Sequence, residues 1–191
     1  MAVQLQGIQV LLPTLLLAAV WVATALDFHQ RRIPNRLTVN AAILGIVLQS
    51  LIGGPSGLLA ALGGLGVGLA ILLPGYAVRT TGAGDVKLMA AAGTFLGPFW
   101  ALVAGLASMV IGALVAVLFA ASTIVSRTPK APWQRYGLML RTLVSTGRVS
   151  YIAPADGEVM GQRFPFAVSI ALGTTATLAL WWPSLAAQWA G

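Results

Sequence analysis

Cysteine is absent from the 191 residues, which excludes disulfides, thiolate metal sites and cysteine nucleophiles together. A single histidine, His29, cannot build a multi-histidine metal centre. Acid is nearly as scarce: Asp27, Asp85, Asp156 and Glu158 are the whole supply. Charged residues of both signs make up only 8%, where soluble domains carry about a quarter. Hydrophobic residues make up 58% and the mean hydropathy is +0.90. A buried soluble core does not explain so little charge over the full length, so the composition describes an integral membrane protein. No break in composition marks a second domain, and residues 1–191 read as one.

The charge that is present is mostly basic. Eleven Lys and Arg residues give a net charge of +7 and a pI near 11.2. In a soluble protein that balance would suggest nucleic acid, but no aromatic-rich soluble module accompanies it. The better account is basic residues kept in cytoplasmic loops, facing anionic lipid headgroups.

Taken in order, the chain offers about six apolar segments. The first, at about 5–26, is near the roughly 20 residues that a bilayer crossing needs. Ala23-Thr24-Ala25 imitates a signal-peptide cleavage site, yet Met1 to Gln9 lacks the basic residues of such a peptide, so this segment reads as a retained helix. Pro34 disfavours helix at Ile33, which ends the first segment earlier. Asn35 is then placed to cap a second helix over 37–52. Gly53-Gly54-Pro55-Ser56-Gly57 makes a turn. The third segment, 58–78, holds Gly64 and Gly68 at a spacing that lets helices approach closely. A fourth, Val86 to Leu96, stops at Gly97-Pro98 and would rise only about 17 Å as a helix. Such a short segment is either tilted into a thinned bilayer or holds Asp85 below the headgroups in a wet cavity. The fifth covers 99–125 and the last 164–182, with Trp181, Trp182 and Trp189 suited to an aromatic belt. Between these two lies the one long polar stretch, 126–163, in which Trp133 to Val144 has the pattern of an amphipathic surface helix.

Six crossings put the loops at 27–36, 79–85 and 126–163 on one side. All eleven basic residues fall there or just inside the adjoining helix, so that side is cytoplasmic and both termini point outward.

The same alternation matches the depths of Asp27 and Asp85. Asp27 ends an inward-running helix, and Asp85 starts an outward-running one directly after Gly82-Ala83-Gly84. A carboxylate near hydrocarbon is costly and is by default a functional residue. Each has a bland reading. Asp27 fits an interfacial charge paired with Arg31 at i+4, and Asp85 fits an acid favoured by the positive end of a helix. Lys87 fits an interfacial residue that snorkels, as well as a part of the site. The combination is harder to explain away, because two of four acids share one depth on helix ends. Two carboxyls sharing a site do not both ionise easily. One then holds a proton while the other is the base that activates water. Such a dyad needs no metal or cofactor. Serine catalysis would need a serine marked as partner to His29, and none is.

Gly82-Ala83-Gly84-Asp85-Val86-Lys87-Leu88-Met89 resembles the signature of the GxGD membrane aspartic proteases, in the form found in type IV prepilin peptidases. Asp27 with Ile33-Pro34-Asn35 resembles that family's other catalytic aspartate and the turn after it. Arg163-Phe164-Pro165-Phe166 and the apolar run to Gly173 are similar to its last shared segment. A lone GxGD is weak, but three motifs in order over nearly the whole chain are specific.

The resemblance implies an all-α integral membrane endopeptidase of the bacterial inner membrane. It would remove the short basic leader of a prepilin or pseudopilin at the cytoplasmic face. Asp27 and Asp85 would be catalytic, and Gly82, Gly84 and Lys87 would belong to the active-site loop. The implied partners are that substrate, with its apolar helix, and anionic lipid, with no nucleic acid. Larger members carry a cysteine-containing cytoplasmic domain near the start and N-methylate their product. The lack of that insertion makes this chain similar to the short peptidases of tight-adherence (Flp) pilus loci, with no methyltransferase activity expected. The reading from another class is a non-catalytic membrane component of a pilus or secretion assembly machine.

Overall fold

A computed structural model describes residues 2–78, 81–125, 133–146 and 166–190 of the chain. All regular structure among them is helical: α1 (Ala2–Gln30), α2 (Asn35–Ala77), α3 (Ala83–Val125), α4 (Trp133–Thr146) and α5 (Phe166–Ala190). Four of these, all but α4, are long and apolar enough to cross a membrane. Arg79, Arg163, Phe164, Pro165 and most of the expected polar stretch over 126–163 lie outside the described residues. The chain divides into two compact units, Met1–Gly112 with Pro165–Gly191, and Ala113–Phe164.

A straight helix of 43 residues would run about 65 Å, twice the hydrocarbon thickness. α2 does not run straight. Gly54 adopts φ 56°, ψ −136°, a conformation open to glycine, and Pro55 follows it. Gly57 then rests directly on the carbonyl of Gln49. Residues eight apart in one helix would be separated by about 12 Å along the axis, so the two arms of α2 fold back on each other. The turn expected at 53–57 is therefore present, within what is formally a single helix. α3 breaks in the same way at Gly97 (φ 75°, ψ 173°), just before Pro98.

The first arm of α3 is the centre of the larger unit. Residues 88–97 are buried on every side, as a helix apolar all round should be. Its neighbours approach through glycines. Gly64 meets the backbone of Gly93, Gly68 meets that of Met89 and Ala90, and Gly45 sits against Thr94 and Phe95. The small-residue spacing read at Gly64 and Gly68 is thus used for close helix contact. Gln49 Nε2 donates to the Phe95 carbonyl at 2.7 Å, beside the break at Gly97. α5 closes the unit against α1, where Thr24 Oγ1 donates to the Ala167 carbonyl at 3.1 Å and Trp21 Nε1 to Thr175 Oγ1 at 3.3 Å.

One expectation is corrected. Asn35 does not cap α2: the N-cap residue is Pro34 (φ −62°, ψ 132°), no side chain caps the helix, and Asn35 is its first residue. The Asn35 side chain is engaged elsewhere.

Candidate active site

Asp27 stands three residues before the end of α1, on the stripe that buries Leu16, Val20 and Ala23. The spacing of four, three and four keeps all of these on one helix face. Asp27 itself is half-buried. Its carbonyl accepts from Arg31 N at 2.8 Å, and Arg31 takes φ 50°, the left-handed conformation that ends a helix. Helix ends of this kind usually use glycine; an arginine here bears a strain of order 1 kcal/mol. The end of α1 is therefore sharply defined just past the carboxylate.

Asp85 occupies the third position of α3 and is only 9% exposed. Gly82 is the N-cap, and its carbonyl accepts from Asp85 N at 3.1 Å and Val86 N at 3.3 Å. In return the Gly82 N–H donates to Asp85 Oδ2 at 3.1 Å. This is the returning half of a capping box, in which an acid at the third position satisfies the N-cap donor. The helix-start role weighed for Asp85 is real, and it also fixes one oxygen of the carboxylate. Fifty-eight residues separate the two acids in sequence.

The loops that carry them are joined twice. Ile33 packs on Gly84, where an added Cβ would stand 3.2 Å from the Ile33 Cβ. Lys87 Nζ donates to Asn35 Oδ1 at 2.9 Å. Lys87, left between two readings by the sequence, is exposed but tied to the start of α2 rather than free at the surface. Sequence reasoning missed the parts played by Ile33 and Asn35. The available signal was an asparagine directly after the loop proline, which looked like a cap and is instead an acceptor for a residue 52 positions on. His29 lies with Trp21, Thr24, Ala25, Phe28 and Val168 around an open, mainly apolar hollow of about 540 Å³ between α1 and α5. Asp27 points to the core side of α1, away from that hollow.

Residues 14–117, more than half of the chain, match the family model described as the type IV leader peptidase family. No curated protein and no solved structure matches the chain.

Proposed function

This chain belongs to the type IV leader peptidase family, and on that premise we propose that it is an aspartic endopeptidase in which Asp27 and Asp85 activate the attacking water. The observation that carries the reading is the joining of the two acid-bearing loops, through Ile33 on Gly84 and Lys87 on Asn35, in a chain with four acids. Asp27 and Asp85 both lie inside the matched region.

In the proposed reaction one carboxylate takes a proton from water as the oxygen attacks the scissile carbonyl. The other, protonated, donates to the carbonyl oxygen, and the C–N bond then breaks with a proton passing to the leaving amine. Gly82 holds Oδ2 of Asp85 in a set direction, so the carboxylate meets substrate without first being ordered. Gly84 and Gly82 shape the loop, while Lys87 positions it.

The substrate we infer is a prepilin or pseudopilin, with a basic leader and an apolar helix after it. The two arms of α2 and of α3, with α1 and α5, make six crossings. On that reading 31–34, 79–82 and 126–165 share one side, together with the starts of α2 and α3 that hold Arg36 and Lys87. The positive-inside rule makes that side cytoplasmic, in the bacterial inner membrane. A basic leader gains nothing from the basic face of this protein, so affinity comes mainly from the apolar helix. Only residues 31–34 separate α1 from α2, which leaves no inserted domain there to bind a methyl donor. We infer that the product keeps a free N-terminal amine.

The test is cleavage of a prepilin by the purified protein in detergent. Asp27→Asn and Asp85→Asn should each lose activity by a factor of about a thousand or more, given what acid–base groups contribute. Wild-type rates from either variant would remove the dyad, and a folded wild type that leaves the leader in place would favour the non-catalytic reading.

A further inference from the structure

α4 has two unlike sides. Leu140, Leu143 and Val144 share one face at helical spacing, and Thr142, Ser145 and Thr146 share the other. Among the described residues the apolar face is exposed: Leu140 is 63% exposed and Val144 81%. Leu138 is the exception, exposed among the polar residues. On the polar side Thr142 Oγ1 donates to the Leu138 carbonyl at 2.8 Å and Thr146 Oγ1 to the Thr142 carbonyl at 2.6 Å. A helix of 14 residues is marginal in water by itself, so this one calls for a surface that takes its apolar face.

Two observations say which surface. The first is reach. Seven residues, 126–132, join the end of α3 to α4 and extend at most about 25 Å. α3 carries an apolar stretch fit to cross a membrane, Ala83–Leu118, so the tether keeps α4 close to where that helix leaves the bilayer. The second is charge. Residues 133–146 contain Arg135 and Arg141 and no acid. Arg141 is exposed beside the apolar face, where a long side chain lays its stem on hydrocarbon and its guanidinium among phosphates. We propose that α4 lies in the plane of an anionic membrane surface, with Leu140, Leu143 and Val144 among the acyl chains and Arg141 at the headgroups. This does not depend on the peptidase reading.

The natural lack of cysteine makes the test clean. Single-cysteine variants of the full chain, labelled with an environment-sensitive fluorophore, are placed in vesicles of phosphatidylcholine with or without phosphatidylglycerol. Labels at Leu140→Cys and Val144→Cys should be quenched by brominated lipid and shielded from aqueous acrylamide, and those at Thr142→Cys and Ser145→Cys should show the reverse. Arg141→Gln should weaken the lipid quenching at position 144 about twofold in the anionic vesicles and leave the neutral ones unchanged. Equal acrylamide access at positions 144 and 145 in anionic vesicles would overturn the proposal. So would shielding from both quenchers that fades as protein is diluted in lipid, since the face would then be covered by a second copy. Equal immersion in both lipids would overturn the anionic requirement.

Discussion

Lys87 Nζ and Asn35 Oδ1 are 2.9 Å apart, a hydrogen bond that joins the fifth residue of α3 to the first residue of α2. Lys87 follows Asp85 by two residues, and Asn35 closes the short connection that leaves the helix of Asp27. The bond therefore fixes the separation of the two helix ends that carry the proposed dyad. We expect Lys87→Met and Asn35→Ala each to lower kcat about ten- to a hundredfold, the range that small misplacements of reacting groups produce. KM should stay within about twofold. The pair is exposed, so the stability loss should be no more than about 1 kcal/mol. The decisive measurement is the double variant, which should be no slower than the worse single one. Additive losses in log kcat would mean that the two residues act separately.

The packing of α2 on α3 depends on glycine where backbones touch. A Cβ on Gly64 would fall on the Gly93 carbonyl, which cannot rotate away as a side chain could. Gly64→Ala should cost at least about 3 kcal/mol, the upper range for overpacking, and deplete folded protein. Gly66 has open space around its Cβ position, and Gly66→Ala should be neutral or gain up to about 1 kcal/mol from helix propensity. Denaturation in mixed detergent micelles compares the two. Similar behaviour of both variants would refute the close-approach account.

These features differ in how far the sequence discloses them. The breaks at Gly54-Pro55 and Gly97-Pro98 are written in local chemistry, because only glycine accepts those angles and proline cannot continue the ladder. The central position of residues 88–97 follows from a helix without a polar face. Asp27 and Asp85 stand out by the scarcity of acid and by counting the expected crossings, since no local pattern relates them. The Lys87–Asn35 bond is another matter. Asn35 has the residue type of a cap, and nothing nearby in sequence says that Pro34 takes the cap position and frees its amide for a partner on another helix. Gly84 likewise reads as part of a turn, although what it supplies is room for Ile33. Contacts between distant segments leave no periodic trace, and both of these fall in that class.

Orientation has its own test. If α2 and α3 each cross twice, the chain crosses six times and the basic segments share one side. A periplasm-active reporter joined after Gly191 should be active, and the same reporter inserted between residues 128 and 129 should be silent. The opposite pattern would put the dyad on the wrong face for a leader that has not yet left the cytoplasm.

Gly84→Ala probes the site without touching either acid. The new Cβ would stand 3.2 Å from the Ile33 Cβ and 3.4 Å from its Cγ1 and Cδ1, so Ile33 must give way by a few tenths of an ångström. Ile33 is β-branched and stiff at χ1, and Pro34 restrains its backbone, so the displacement passes along the chain to Asn35. Helix α3 should remain intact, because alanine suits its first turn and no φ at Gly84 requires glycine. The expected result is a kcat about three- to tenfold lower, with thermal stability within about 1 kcal/mol of wild type. Adding Ile33→Val removes Cδ1 from the crowded contact and should recover part of the loss. If Gly84→Ala is as active as wild type, or if Ile33→Val deepens its defect, contact between these two loops does not set the geometry of the acids.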